Sequence, residues 1–323
     1  MAIRDDNRDL GFGSVVSQES RRRLVNRDGS FNVVRDGLPF WSSVSLYHAL
    51  LELSWPRFLA LAGAGYLLVN ALFAGLYLLS GSASLQSMEP FPIANPFLRA
   101  FFFSVETFGS IGYGNIAPVG LGAHVTVTIE SFVGLTCLAV ATGLVFARFS
   151  RPTARLLFSR WAIMAPYRDI AAFEFRMVNL RRSQLIEVEC KVILSRVEQR
   201  DGQPFRNYYG LPLERTRVSF FPAAWTVVHP IDADSPLRGA TRDSLLAEDA
   251  EFIVLLTGYD ETFAATVHTR TSYKPQEIVW EARFADVFNH TDVRGGLSID
   301  VSRLHEVVHA PLPEPVGPYL PVA

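Results

Sequence analysis

The chain has 323 residues, a formal net charge of −2, 49% hydrophobic residues and 19% charged residues. Soluble domains carry about 25% charged residues, so this chain is short of charge, and its apolar content excludes a disordered protein. The nearly balanced charge argues against a nucleic-acid partner. The two cysteines, Cys137 and Cys190, form no CxxC pattern, which argues against a disulfide framework and a zinc site. A membrane protein with a substantial soluble part remains.

An amphipathic segment follows the N-terminal segment, residues 1–40. Apolar or aromatic side chains recur there at spacings of three and four residues, at Trp41, Val44, His48, Leu51 and Trp55. Tryptophans at both ends predict a helix that lies in the membrane interface, and Pro56 then turns the chain into the membrane. The alternative is an ordinary amphipathic helix packed on protein.

Two hydrophobic spans predict membrane crossings. Phe58–Ser80 is 23 residues long without a charge, enough for a helix to cross about 30 Å of hydrocarbon. The second span, about Gly120–Ala147, is free of charge from Ser131 onward. Arginines precede the first span and follow the second, whereas residues 81–97 contain no lysine or arginine. The positive-inside rule therefore places both termini in the cytoplasm of a multi-pass protein of the cell's inner (plasma) membrane.

The connector between the spans carries a short helix and a glycine-rich strand. Asn95 is a good N-cap and Pro96 suits the first helical position, so a helix of about 12 residues is expected, too short to cross. It leads into Ser110-Ile-Gly-Tyr-Gly114. Non-helical backbone at membrane depth must line a water-filled cavity or be buried in protein, which predicts a re-entrant element.

The residues of this strand suit the coordination of dehydrated potassium ions. Carbonyl oxygens can replace the hydration shell of K⁺ only if successive carbonyls face one axis. Alternate residues must then take left-handed angles, which Gly112 and Gly114 tolerate. Ile111 and Tyr113 are expected to point away from the axis, and Ser110 could add its hydroxyl as the innermost ligand.

A GYG sequence by itself is also found in surface turns, and a dinucleotide-binding fingerprint fails because Ala117 stands where a third glycine is needed. The order of outer helix, short capped helix, glycine-rich strand and inner helix favours a pore. A single strand cannot encircle an ion, so several chains must meet on an axis, and four is the number for this type of filter. The sequence therefore predicts a homotetramer.

The soluble half follows a two-residue period. Ile186, Val188, Cys190 and Val192 alternate with charged residues, which predicts a half-buried strand. Further strands are predicted at Glu251–Thr257, Thr262–Arg270 and Ile278–Phe284, the first two joined by a hairpin turn at residues 258–261. Many short strands with proline and glycine between them suggest a β-sandwich over residues 151–310, followed by a proline-rich tail, 311–323, predicted to be disordered.

Several motifs together resemble the inward-rectifier potassium channels, most closely the prokaryotic KirBac branch. They are LYHALLELSWPRF, FFFSVETFGSIGYG, GLVFARFSRP and TSYKPQEIVWEARF, and the resemblance covers roughly 41–308. It implies a transmembrane α-helical pore domain, 41–150, joined to an immunoglobulin-like cytoplasmic sandwich. Voltage-gated channels also contain GYG, but their arginine-rich sensor is missing from this sequence.

The resemblance also assigns roles in the inner helix. It implies that Gly134 is a bending point and that Phe146 forms a constriction that closes the pore by dewetting. The glycines at 134 and 143 have an alternative role in close helix packing. Strong rectifiers of the family carry an acidic residue in the cavity, and the alignment places Leu138 there, which argues against strong rectification.

Three groups of charged residues complete the implied site. Glu106 lies behind the filter and is expected to accept hydrogen bonds from filter N–H groups, since this chain has Asn115 and Ile116 where eukaryotic relatives have an arginine. Glu187 and Glu261 match acidic rings that line the cytoplasmic path; a solvated strand face is the alternative. The basic residues predicted to bind anionic phospholipid, or else only to enforce topology, are Arg148, Arg151 and Arg155.

These observations predict a tetrameric K⁺ channel gated at the inner-helix crossing by cytoplasmic-domain and lipid signals. The alternative is a membrane-anchored sensory or binding sandwich whose pore is vestigial or poorly selective. No nucleophile–base pair, metal-ligand spacing or phosphate loop points to an enzyme, and no organic cofactor is expected. Glu130 and His124 receive no role from the sequence.

Overall fold

The structure is a computed structural model that describes residues 23–32, 46–81, 84–87, 93–150, 155–181, 184–200, 202–221, 224–289 and 298–313, apart from the side chains of His48 and Arg200. The chain divides into two compact units. One comprises Asp36–Arg151, and the other comprises Met1–Arg35 together with Pro152–Ala323.

The described part of the first unit is helical. Its helices are α1 (Leu46–Glu52), α2 (Trp55–Leu79), α3 (Pro96–Phe108) and α4 (Gly120–Phe149). Of these, α2 and α4 have 25 and 30 residues and are long and apolar enough to cross a membrane. They match the two predicted crossings.

The start of α2 differs from the sequence prediction. The helix begins at Trp55 rather than Phe58, so Trp55 opens the long helix instead of closing the interfacial one. Pro56 lies in the first turn of α2. Backbone N–H groups have no acceptor within the helix there, so the missing N–H group of proline costs no hydrogen bond. The interfacial segment is described only as α1, since Trp41 and Val44 lie outside the described residues.

A small two-stranded sheet frames α3. Strand β1 (Leu85–Ser87) pairs antiparallel with β2 (Ile116–Pro118), so the chain before α3 and the chain after the glycine-rich strand are held together. The sequence did not predict this sheet. The core of the unit lies between the helices and this sheet and consists of Phe73, Ala74, Tyr77, Leu85, Ala100, Phe103, Ile116 and Ala123.

The second unit contains two five-stranded sheets. The strands of the first are β6 (Leu185–Arg200), β7 (Gln203–Leu211), β8 (Arg217–Phe221), β10 (Glu251–Asp260) and β11 (Ala265–Tyr273). Their order is β11-β10-β6-β7, and β8 also pairs with β6. All of these pairings are antiparallel.

The strands of the second sheet are β3 (Leu156–Phe158), β4 (Ala162–Tyr167), β5 (Ile170–Asn179), β9 (Ala224–Pro230) and β12 (Ile278–Trp280). Their order is β12-β4-β5-β3, and β9 also pairs with β5. Only the β12–β4 pair among these is parallel. The described part of the unit also contains α5 (Arg242–Ala247), β13 (Ala282–Phe284), β14 (Phe288–Asn289), β15 (Ser298–Ile299), β16 (Val307–His309) and two short 3-10 helices, Pro275–Glu277 and Val301–His305.

The two sheets share one hydrophobic core. Phe173 of the second sheet stacks on Phe252 of the first, with ring centroids 4.2 Å apart. Met177, Val188 and Leu256 belong to the same buried cluster. This packing confirms the predicted all-β sandwich in the second unit.

Two non-glycine residues with left-handed backbone angles explain the errors in the strand predictions. Glu187 (φ +50°) lies at an irregularity in the β6–β10 pairing, so Leu185 is buried in place of Ile186. Glu281 (φ +53°) divides the predicted strand Ile278–Phe284 into β12 and β13, which belong to different sheets. A non-glycine residue at such a φ interrupts the regular strand, and the alternation of apolar and polar residues in the sequence does not reveal this interruption.

The hairpin turn also lies further along the chain than predicted. Gly258 and Asp260 are paired within the β10–β11 ladder, with Val267 and Ala265. The turn therefore occupies residues 261–264. A β-carbon at Gly258 would lie 3.1 Å from the side chain of Val188, so this glycine serves a close approach between strands rather than a turn.

The described N-terminal residues 23–32 belong to the second unit. The buried carboxylate of Glu251 accepts hydrogen bonds from the N–H groups of Leu24 (2.8 Å) and Val25 (3.1 Å). Arg23 donates to the hydroxyl of Ser272 (2.8 Å) and pairs with Glu277. This stretch is thereby held against strands β10 and β11.

Candidate functional site

Helix α3 ends where the glycine-rich strand begins. Its N-terminus is capped as predicted, since the Asn95 side chain accepts hydrogen bonds from the N–H groups of Phe97 (2.9 Å) and Leu98 (3.3 Å). The helix buries Phe103, whose ring meets Tyr77 of α2 edge-on at 5.1 Å. The cap fixes where the helix begins, and this contact fixes how it packs on α2.

The strand that follows has an alternating backbone. Ser110, Gly112 and Gly114 have φ angles of +53°, +59° and +80°. The residues between them, Ile111 and Tyr113, are not in this region. Such alternation turns successive carbonyl groups toward the same side, as a row of oxygen ligands requires. The sequence predicted it at the two glycines but not at Ser110.

The predicted supporting residue Glu106 contacts the strand through its main chain. The N–H group of Ile111 donates to the carbonyl oxygen of Glu106 at 2.7 Å. Within the described residues, no filter N–H group donates to the Glu106 side chain. The hydrogen bonds expected for this carboxylate are therefore absent from the described part of the single chain, and a main-chain bond joins helix and strand instead.

Large apolar side chains of this unit are uncovered in the single chain. Ile111 and Tyr113 are 50% and 70% exposed, and Leu138 and Phe146 of α4 are 66% and 72% exposed. Each lies in the glycine-rich strand or on α4. A lone chain with so many exposed apolar side chains next to an unpaired row of carbonyl groups suits assembly with other copies.

The two glycines of α4 have different surroundings. A β-carbon at Gly134 would lie 2.5 Å from the carbonyl oxygen of Phe108, whereas one at Gly143 would meet nothing within 4 Å. Gly134 therefore allows α4 to approach the end of α3, in line with the packing alternative. Helix α4 is continuous through both positions.

Arg148, predicted to bind lipid, is engaged within the unit. Its guanidinium donates to the carbonyl oxygens of Leu50 and Leu53 (2.6 Å for the latter) and lies over the rings of Trp55 and Phe58, at 4.7 and 4.5 Å. Leu50 lies in the last turn of α1 and Leu53 directly follows the helix, where carbonyl groups lack helical partners. Arg148 thus joins the end of α4 to α1.

The other two predicted lipid residues and the two acidic residues lie elsewhere. Arg151 is outside the described residues, and Arg155 is exposed. Glu187 forms an ion pair with Arg217. Glu261 is exposed, and its N–H group donates to the carbonyl oxygen of Gln184 (3.5 Å), so both acidic residues lie at the same end of the first sheet.

Four buried polar side chains, missed by the sequence analysis, join α2, α3 and α4. They are Asn70, Tyr77, Ser104 and Glu130, and each has 0% exposure. The Glu130 carboxyl group contacts the hydroxyl groups of both Tyr77 and Ser104, and Ser104 lies 3.0 Å from the Asn70 side-chain oxygen. We call these four residues the interhelical polar cluster. Isolated polar residues within apolar spans were the only sequence signal for it.

In its described part, the second unit, which contains the β-sandwich and is called the soluble unit below, has neither a cluster of metal ligands nor a reactive cysteine. None of the described His, Cys, Asp or Glu residues form a group of three or more that could hold a metal ion. Burial raises the pKa of the Cys190 thiol to about 12, which makes this cysteine unreactive.

Comparisons with known proteins agree with this geometry. The family described as "Inward rectifier potassium channel C-terminal domain" matches residues 156–317, and the family "Ion channel" matches residues 66–151. "Inward rectifier potassium channel Kirbac3.1" of Paramagnetospirillum magnetotacticum is 40% identical over 91% of this chain and 99% of its own length.

More distant relatives span most of the chain as well. "Inward rectifier potassium channel 4" of Mesocricetus auratus is 30% identical over 92% of this chain and 74% of its own length. "G protein-activated inward rectifier potassium channel 3" of Homo sapiens is 28% identical over 92% of this chain and 80% of its own length. The similarity therefore includes both units.

Proposed function

The chain belongs to the inward rectifier potassium channel family, and on that basis we propose that four copies form a K⁺-selective pore around the strand Ser110–Gly114. The observation that carries this proposal is the left-handed backbone at Ser110, Gly112 and Gly114. Main-chain carbonyl groups of this strand, with the Ser110 hydroxyl as the innermost ligand, replace the hydration shell of K⁺.

The number of copies follows from what one chain supplies. Each chain contributes one row of carbonyl groups, so a ring of ligands needs several chains, and a filter of this type uses four. Closed cyclic symmetry brings identical surfaces together. The exposed side chains of Ile111 and Tyr113 support this arrangement, because neighbouring copies would cover them.

The gate of the proposed channel lies on α4. Phe146 is exposed on the single chain, and a ring of four such side chains closes a pore by excluding water. Leu138 supplies an apolar cavity wall with no charge for a polyamine. Bending of helix α4 at Gly134 or Gly143 is proposed to move this gate. Gly134 also has the packing role described above.

Cytoplasmic and lipid signals act on this gate. Glu187 and Glu261 are the proposed acidic rings of the cytoplasmic path, and the ion pair with Arg217 partly offsets the charge of Glu187. Arg151 and Arg155 are the proposed ligands of anionic phospholipid in the cell membrane, because basic side chains beside headgroups gain about 1 kcal/mol each. Arg148 is the third proposed lipid ligand, and its guanidinium also has protein partners.

Potassium flux into liposomes that hold the purified protein tests the proposal. We expect K⁺ uptake that Ba²⁺ blocks and that Na⁺ does not replace. Gly112→Ala should abolish uptake, because φ +59° is strained for a residue with a β-carbon. Gly63→Ala in α2 is the matched control, since a β-carbon there meets nothing within 4 Å.

Two results would contradict the proposal. Selective K⁺ uptake by Gly112→Ala would show that the strand is not the filter. A parent protein that takes up no K⁺ in any lipid mixture, while its sandwich remains folded, would support a membrane-anchored binding protein with a vestigial pore.

A further inference from the structure

The interhelical polar cluster contains a carboxyl group without a basic partner. Among the described residues, no basic side chain lies within 4.0 Å of Glu130, and its two oxygens meet only the hydroxyl groups of Tyr77 and Ser104. An ionised carboxylate inside a membrane-spanning bundle is costly without a cation or several strong donors. The hydrogen bonds of the cluster show how the molecule avoids this cost.

The orientation of Asn70 is fixed by its own helix. Its side-chain nitrogen donates to the carbonyl oxygen of Tyr66 at 2.7 Å. The reversed amide would place two acceptor oxygens at that distance, so the Asn70 side-chain oxygen must face Ser104, 3.0 Å away. That oxygen can only accept a hydrogen bond.

A count of hydrogen atoms then leaves one proton to be placed. The single hydroxyl hydrogen of Ser104 faces two oxygens, one from Asn70 and one from Glu130. If Glu130 were ionised, both would need this one hydrogen, and one buried contact would join two oxygens without a proton. A proton on Glu130 removes the conflict, because Glu130 then donates to Ser104 and Ser104 donates to Asn70.

We propose that Glu130 is a neutral carboxylic acid that positions helix α3, and through it the filter strand. The hydrogen bonds run in one direction, from the Tyr77 hydroxyl to Glu130, from Glu130 to Ser104, from Ser104 to Asn70 and from Asn70 to the carbonyl oxygen of Tyr66. Each of the three contacts between oxygen atoms in the cluster then contains one hydrogen atom. Buried polar groups satisfied in this way hold one arrangement of their helices.

The cluster lies one helical turn from the filter-side contact between α3 and α4. Glu130 and Gly134 are four residues apart on α4, and they meet Ser104 and Phe108, which are four residues apart on α3. Residues at this spacing share one face of a helix. The two contacts therefore set the register of α3 against α4, and the Ile111–Glu106 main-chain bond passes that position to the strand.

Substitutions at Glu130 separate a neutral acid from a carboxylate. In Glu130→Gln the amide oxygen accepts from Tyr77 and the amide nitrogen donates to Ser104, as the neutral acid does. We expect this variant to keep the K⁺-over-Na⁺ uptake ratio of the parent within about twofold. Glu130→Ala, which leaves the buried hydroxyl groups without partners, should lower that ratio about tenfold.

Infrared difference spectroscopy of the full channel provides a readout that does not depend on conduction. At neutral pH the parent minus Glu130→Gln spectrum should contain the carbonyl band of a protonated carboxylic acid. This inference rests on the proposed channel function for its flux readout alone. If the parent fails to conduct, the infrared band still decides whether Glu130 is neutral.

Two results would overturn the inference. A carboxylate band in place of the acid band, with a loss of selectivity in Glu130→Gln as large as in Glu130→Ala, would show that Glu130 is ionised. Unchanged selectivity in every folded variant, with lower resistance to heat alone, would show that the cluster stabilises the helices without positioning the filter.

Discussion

The carbonyl oxygen of Phe108 lies where a side chain at position 134 would have to begin. A β-carbon on Gly134 would approach that oxygen to 2.5 Å and the carbonyl carbon to 3.2 Å. Phe108 is the last residue of α3, two positions before the filter strand. Gly134 of α4 is thus needed for contact with the end of α3, whatever part it also has in bending.

Gly134→Ala should therefore disturb the filter as well as the gate. The added methyl group has to push against main-chain atoms, and overpacking of this kind costs about 1–3 kcal/mol. We expect a lower unfolding temperature of the full channel in detergent and a lower K⁺-over-Na⁺ uptake ratio. Gly75→Ala in α2, where a β-carbon meets nothing within 4 Å, is the control. Equal stability and selectivity in the two variants would refute the packing role.

Leu138→Asp should introduce a block by spermine. Leu138 is exposed on the single α4 helix, and its carbonyl oxygen accepts a hydrogen bond from Thr142 at 2.8 Å. A carboxylate facing the cavity attracts a polyamine, so block should become stronger and more steeply voltage-dependent. Leu138→Asn, which is polar but uncharged, should stay close to the parent. Steep block of the unmodified channel would show that Leu138 does not line the cavity.

Arg148 and Arg155 should differ in their effect on lipid response. Arg148 donates to Leu53 and stacks on Trp55, so Arg148→Gln should destabilise the α1–α4 contact in any lipid. Arg155 is exposed, and Arg155→Gln should reduce the response of K⁺ flux to anionic phospholipid while ion selectivity stays intact. The K⁺ flux of both variants is measured in liposomes of increasing anionic phospholipid content. Identical dose–response curves for the parent and Arg155→Gln would exclude Arg155 as a lipid ligand.

Features that depend on neighbouring residues were predictable from the sequence. The Asn95 cap, the left-handed glycines at 112 and 114 and the two apolar spans all follow from local chemistry, and the structure has each of them. In β6 the buried residues Val188, Cys190 and Val192 follow the two-residue period, whereas residues 162–165 of β4 are all buried and do not follow it. The family resemblance added the roles that local chemistry does not specify.

Features that depend on distant residues were not predictable. The interhelical polar cluster joins Asn70 to Glu130, which are 60 positions apart, and hydropathy marks such residues only as exceptions within apolar spans. Arg148 was assigned to anionic phospholipid, with topology as the alternative, because the sequence does not show which carbonyl groups lie near it. The left-handed angles at Glu187 and Glu281 arise from tertiary packing that overrides the preference of these residues.

Glu174 on β5 gives the soluble unit a stability that depends on pH. Its side chain lines a cleft of about 330 Å³ together with Arg176 and Arg283. Burial raises the pKa of Glu174 from 4.5 to about 7, while the two arginines lower it and Glu214 raises it further. The folded protein therefore favours the protonated form of this carboxyl group more than the unfolded chain does.

The sign of the effect follows from this difference. Below about pH 4.5 both states hold the proton, so the contribution to stability is full; it is lost as pH rises toward about 7, because the unfolded chain releases the proton first. The contribution of Glu174 to the unfolding temperature should thus fall between about pH 5 and about pH 8, whereas His229, whose pKa is lowered by burial, contributes in the opposite direction. Relative to the parent, Glu174→Gln should therefore gain unfolding temperature as the pH rises through this range.

Tryptophan fluorescence of the full channel in detergent reports the transition, since three of the five tryptophans, at 161, 225 and 280, belong to the soluble unit. Glu189→Gln is the matched control, because Glu189 is an exposed carboxylate on the neighbouring sheet, 3.4 Å from Lys191. The control should keep the pH dependence of the parent. A Glu174→Gln curve parallel to that of the parent would show that Glu174 is ionised in the folded channel at neutral pH.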